Sequence, residues 1–174
     1  MVAYRGHDYP ENLPIGSLPL VPMVAEETVH YPLLGLQSDA EWFSLTPSKF
    51  GYVQLGPENR LFSVSMFHQL HCLRMLNLAF GKARIATSGH VQHCLNYLRQ
   101  AALCSADLTI EAGNFEDRDF ATARTGATYM CKDWSLVYPF LEENGARWKT
   151  DESERFAPIL LYRIPFHSVN FNRV

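Results

Sequence analysis

The sequence predicts a mainly α fold: one compact domain built on a helix pair, with a small β-hairpin and an extended, proline-rich N-terminal arm. Three observations carry this. The phrase His-x-x-His-Cys occurs twice, as His68-Gln-Leu-His71-Cys72 and, 22 residues later, as His90-Val-Gln-His93-Cys94. Apolar residues follow each copy at helical spacing. Five prolines (Pro10, Pro14, Pro19, Pro22 and Pro32) crowd residues 1–36. The chain of 174 residues is 47% hydrophobic and 13% aromatic, enough for one domain with its own core.

In chain order, residues 1–36 read as the extended arm, because proline at that density blocks long helix and sheet. Tyr4, Tyr9 and Tyr31 are its candidate anchors, and a tail without fixed structure is the alternative. Residues 37–174 read as the domain proper. Ser38-Asp-Ala-Glu-Trp-Phe-Ser44 suits a short helix stopped before Pro47. Gly51–Leu55 and Arg60–Val64 flank Gly56-Pro-Glu-Asn59 and predict a hairpin. Helical pattern then runs from Ser65 to Phe80, with Gly81 as C-cap. Ser88 is read as the cap of the next helix, which runs to about Cys104. Residues 107–127 are polar and predict a loop with a short helix. Thr128 is read as the cap of a third helix through Cys131, Trp134, Val137 and Leu141, ended by Asn144-Gly145. Residues 158–171 alternate weakly and suggest an edge strand or a docked tail.

Positions i, i+3 and i+4 share one face of a helix. His68, His71 and Cys72 therefore form one polar patch, and His90, His93 and Cys94 another. The stripe continues through Met75, Leu76 and Ala79 in the first helix, and through Tyr97, Leu98 and Ala101 in the second. The helices are joined by about seven residues, which makes them antiparallel neighbours. Full end-to-end alignment would leave the two patches at opposite ends. A crossing near 50°, or a shift along the axis, would bring them together.

Three chemistries compete for these patches. The four imidazoles can bind one or two copper or iron ions for oxidation chemistry, with Cys72 and Cys94 as support or as a disulfide. Two histidines and two cysteines can hold a structural zinc, although a domain of this size needs no such staple. The histidines can also be satisfied core residues that bind nothing. Elsewhere, Cys104 and Cys131 have a spacing that permits a disulfide. Arg99 and Gln100 either orient a ligand or face solvent. Asp107 suits a cap or ion pair, and His7, His30 and His167 read as surface residues. Net charge is −3 with no basic run, so nucleic acid is excluded as a partner. No stretch is apolar for the roughly 18 residues of a membrane span, and the start lacks the apolar core of a signal peptide.

These residues resemble the UstYa-like family of fungal biosynthetic proteins, whose signature is the doubled His-x-x-His-Cys motif. The likeness continues in Tyr97-Leu98-Arg99-Gln100, in Cys104-Ser-Ala-Asp107-Leu-Thr109-Ile-Glu111, in Glu41-Trp42-Phe-Ser-Leu45 with Gly51-Tyr-Val, and in Cys131-Lys-Asp133-Trp134. It covers roughly residues 28–145. The resemblance implies a role in making fungal peptides or other secondary metabolites, by oxidative cyclisation, hydroxylation, desaturation or halogenation. It implies copper rather than iron or zinc, held by His68, His71, His90 and His93, and a small-molecule or peptide substrate. It also implies a homo- or hetero-dimer with a homologous subunit. Relatives carry an N-terminal membrane anchor facing the lumen of the secretory pathway. The expectation here is a soluble chain, tied to a membrane only through an anchor the given sequence lacks.

One position departs from the pattern. The family commonly has a histidine two residues before the equivalent of Cys131, where this chain has Tyr129. Tyr129 can replace it as a weak ligand, proton donor or radical carrier. The leading expectation is thus a copper-dependent oxidase or oxidative cyclase, with Tyr129 added to the four histidines as a catalytic residue. The alternatives are a redox-neutral cyclase using the histidines as acid and base, and a non-catalytic partner of an active homologue.

Overall fold

The computed structural model describes residues 2–111, 119 and 121–148. The strand or docked tail expected over 158–171 lies outside them, as does part of the loop before residue 121.

The arm is tied to the body by its aromatic rings. Tyr4 and Tyr9 pack against Phe62, with centroids 6.4 and 5.3 Å away, and Arg60 lies 4.9 Å from the rings of both Tyr9 and Phe62. Tyr31 packs edge-on against Trp42. Proline does not keep the arm out of a sheet. Strand β1 (Leu20–Glu26) pairs antiparallel with β4 (Thr125–Lys132), Leu20 opposite Lys132 and Pro22 opposite Met130. In a two-stranded ribbon each strand is an edge, where proline is tolerated.

Helix α1 (Ser38–Ser44) is followed by a left-handed run, Lys49, Phe50 and Gly51, with φ of 60°, 56° and 80°. That run turns the chain into the hairpin of β2 (Tyr52–Leu55) and β3 (Arg60–Ser63), closed by Asn59 N–H donating to Gly56 O at 3.2 Å. A Cβ at Gly51 would stand 2.2 Å from Phe67 Cβ, so only glycine lets the turn pack on the next helix. Helix α2 spans Ser65–Phe80 and α3 spans Ser88–Ser105.

The third helix starts later than the sequence predicts. Thr125–Lys132 is strand β4, a 3₁₀ turn covers Trp134–Leu136, and α4 runs only from Val137 to Ala146. The side-chain cap is Asp133 at the 3₁₀ turn, not Thr128: it accepts from Ser135 N–H at 3.1 Å, and α4 itself has no side-chain cap. Pairing with β1 claims the backbone groups of residues 125–132 that a helix would have used. The described part of 107–127 holds no helix.

Two small cores result among the described residues. Val53, Phe67, Val137 and Leu141 join the hairpin, the start of α2 and α4. Cys72, Met75 and Cys94 form the second, between α2 and α3, with Leu78, Ile85, Ala86, Tyr97 and Leu98 around them. Asn144 ties α4 to β2 by accepting from Gln54 N–H and donating to Gln54 O, each at 2.9 Å. Buried Asn77 holds the chain before α1 against α2, donating to Leu33 O at 2.9 Å and to Pro32 O at 3.4 Å. α2 therefore reaches both cores, and its first histidine motif lies between them.

Candidate metal centre

Local capping sets where the second motif begins. The N-cap of α3 is Thr87 rather than Ser88, and its hydroxyl accepts the His90 N–H at 3.3 Å. His90 is thus held in the first turn. The linker decides whether the motifs meet. Gly81 ends α2, but the left-handed residue is Lys82, with φ of 55°. Ala83 N–H then donates back to Leu78 O at 3.0 Å, and Ile85 and Ala86 pack onto the cysteine core. The linker folds back along α2 instead of extending it, which supplies the axial shift that an end-to-end hairpin lacks.

The four imidazoles meet as two pairs across the helix interface. Nε2 of His68 lies 3.4 Å from Nε2 of His93, and Nε2 of His71 lies 3.3 Å from Nε2 of His90. The first histidine of each motif faces the second of the other, as antiparallel helices related by a local twofold require. Cys72 and Cys94 lie fully buried beneath them, close enough for their thiols to hydrogen-bond. The ring nitrogens of His68 and His93 and the Cys72 Sγ fall within 4.8 Å of one another.

This donor set fits a transition metal. Two nitrogens each about 2.0–2.1 Å from one ion, and separated as either pair is, would subtend roughly 110°, close to the tetrahedral angle. Two of the imidazoles are also kept in the form that binds. Burial, reinforced by the charges of His90, His68 and His93, pushes His71 down to about 4, and burial with the same kind of repulsion lowers His68. Both are neutral near pH 7, as ligands must be. Cys72 is the opposite case. Burial, then its contact with Cys94, pushes the thiol up to about 12, so it stays protonated until something displaces the proton.

The remaining sequence candidates make their described contacts with residues other than the motif histidines. Tyr129 stands on β4 opposite Met23, and its hydroxyl donates to Glu111, which raises its pKa. Asp107 accepts from Thr109 N–H at 2.8 Å. Arg99 and Gln100 face solvent. All four cysteines are thiols in the structure, with Cys104 exposed and Cys131 half-buried in β4. His7 is exposed and His30 pairs with Glu41 at 3.2 Å; His167 lies outside the described residues. The tyrosine packed on the site is Tyr97, whose ring centroid is 4.0 Å from that of His68. Its position four residues after His93, on the ligand face of α3, was the available signal.

A family model described as mycotoxin biosynthesis protein UstYa matches residues 32–144. The UstYa family oxidase phomYb of Diaporthe leptostromiformis is 30% identical over 131 residues, 64% of this chain and 52% of the relative. Oxidase ustYa of Aspergillus flavus is 30% identical over 129 residues, 71% of this chain and 58% of the relative. Chlorinase cctP2 of Talaromyces islandicus is 30% identical over 88 residues, 48% of this chain and 28% of the relative. The chain spans about half the length of the first two, and no solved structure matches.

Proposed function

The chain belongs to the UstYa family, and we propose that it is a copper-dependent oxidase or oxidative cyclase acting on a fungal peptide or other secondary-metabolite intermediate. Relatives named as oxidases, a chlorinase and a hydroxylase support oxidative chemistry as the reading. The observation that carries the reading is the meeting of four imidazoles as two nitrogen pairs at 3.3 and 3.4 Å across one helix interface. His68, His71, His90 and His93 would hold the metal, as one ion or two. Copper, when bound, supplies one-electron redox chemistry. The chain's own part is to present four ring nitrogens from two rigid helices and to keep His68 and His71 unprotonated by burial. The half-buried cluster, with His93 on its exposed side, leaves an approach for substrate. No helix among the described residues is long and apolar enough to cross a membrane. A place in the lumen of the secretory pathway, and pairing with a homologous subunit, belong to the same proposal.

The test is metal content. Protein reconstituted with copper and then desalted is expected to retain it by mass spectrometry, with loss on His68→Ala or His93→Ala. Copper-free protein after reconstitution would overturn the reading. One observation favours a second: imidazoles held neutral near pH 7 are also competent general bases. A redox-neutral cyclase would turn over under anaerobic conditions with a chelator present, whereas the oxidase would not.

A further inference from the structure

Tyr97 is the one aromatic ring other than histidine that the described contacts place against the imidazole cluster. Its ring lies 4.0 Å from that of His68 with 31° between planes, the shortest ring separation recorded among the described residues. It also runs nearly parallel to His93, 24° between planes at 6.3 Å. From these contacts we propose that Tyr97 is a positioning residue for the metal centre, clamping the His68 imidazole so that its Nε2 faces that of His93. The inference rests on the metal reading above and gives one residue outside the motif a specific task.

The physical need is plain. The second torsion of a histidine is broad and roughly two-fold, so a helix fixes where the ring starts but not which nitrogen it presents. His71 has burial to restrict it, since its ring sits deeper than that of His68. His68 and its partner His93 lie nearer the surface, and His93 is exposed. A flat ring against one face of His68 restricts that torsion at little cost in flexibility, because a tyrosine has few torsions of its own to freeze. α3 provides it from the face that carries His90, His93 and Cys94, one helical turn beyond His93. At the matching offset the first motif has Met75, a flexible thioether buried in the cysteine core.

The experiment compares Tyr97→Met, which copies the first motif, with Tyr97→Phe, which keeps a flat ring and drops the hydroxyl. Two readouts are taken. In metal-free protein, the ring-nitrogen resonances of His68 are followed by nuclear magnetic resonance. With Co(II) alone as probe, affinity and visible spectrum are measured by titration. Tyr97→Met is expected to broaden or split the His68 signals, to weaken Co(II) binding about 10–100-fold, as loss of an orienting partner does, and to alter the spectrum. Tyr97→Phe is expected to match the unaltered protein in all three. Parent-like signals and affinity in Tyr97→Met would overturn the proposal. So would equal losses in Tyr97→Phe, because the hydroxyl and not the ring would then be at work. Circular dichroism checks folding, and Tyr97→Gln replaces the methionine variant if that one does not fold. An unaltered protein that takes up no Co(II) counts against the metal reading, while the metal-free resonances still decide the role of Tyr97.

Discussion

Acid should loosen the metal-free protein through His71. The folded ring titrates near 4 against an ordinary value of 6.5. Below 6.5 the unfolded chain therefore binds a proton that the folded one refuses. Stability is complete above 6.5, falls as the pH drops from there toward 4, and levels off once both states are protonated. At about 1.4 kcal/mol for each pH unit, the full effect is roughly 3 kcal/mol. The ring is only partly buried, and solvent screening cuts that to about 1–2 kcal/mol. His68 is lowered in the same direction and adds to the loss. The assay is urea unfolding followed by circular dichroism, with chelator present, at about pH 7.5 and about pH 4.5. Carboxylates whose folded values are lowered, such as Glu142, also cost stability in acid. The decisive comparison is therefore with His71→Gln, which keeps a polar group of similar size but cannot take the proton. The variant should lose about 1–2 kcal/mol less than the parent between the two conditions. Equal losses would refute the view that His71 is held neutral by its surroundings.

Gly51→Ala should lower the melting temperature sharply, with a cost of about 2 kcal/mol or more, because a Cβ at φ of 80° would stand 2.2 Å from Phe67 Cβ. An unchanged melting curve would mean that the left-handed turn is not packed on α2. Asn77→Ala removes the buried donor to the Pro32 and Leu33 carbonyls, and should cost about 1–3 kcal/mol in urea unfolding. It should also speed proteolysis between β1 and α1. Under native conditions a thiol-alkylating reagent should label exposed Cys104 first, and label buried Cys72 and Cys94 only in denaturant. Peptide mass spectrometry reads the order, and early labelling of Cys94 would contradict the burial.

The parts of this site that local geometry controls were legible in the sequence. Helical spacing alone puts His68, His71 and Cys72 on one face and His90, His93 and Cys94 on another, because one face repeats every three to four residues whatever lies around it. The relative position of the two helices was not legible. It depends on Lys82 turning left-handed and on Ile85 and Ala86 packing back onto the cysteine core, both tertiary outcomes of a seven-residue linker. The β1–β4 ribbon was missed for a related reason. Its strands lie about a hundred residues apart, one of them carries Pro22, and long-range pairing leaves no local periodicity to read. The early start assigned to the third helix failed at the same place, since Thr128 and Cys131 fit a helical pattern that strand pairing overrides. Tyr129 was singled out for what it replaces, and its bond to Glu111, 18 residues away in the chain, left no local pattern to read.

Repetition in the sequence becomes near-symmetry in space, and the departures from symmetry carry the chemistry. A local twofold relates the motifs, pairing His68 with His93 and His71 with His90 at nearly equal separations. A strict twofold would make the two pairs chemically identical. They are not. His71 is pushed down to about 4, whereas the His68 pair lies nearer the surface and has a tyrosine ring against it. The Cys72 sulfur falls within 4.8 Å of the ring nitrogens of His68 and His93, which gives that pair a soft donor within reach. Duplicating a motif is a simple way to bring four imidazoles to one helix interface. The flanking residues differ as well, with tyrosine at 97 where the first copy has methionine at 75, and the two pairs differ in burial. Under the proposed metal reading, two unlike donor pairs side by side suit a centre that holds a metal firmly and still lets a substrate approach it.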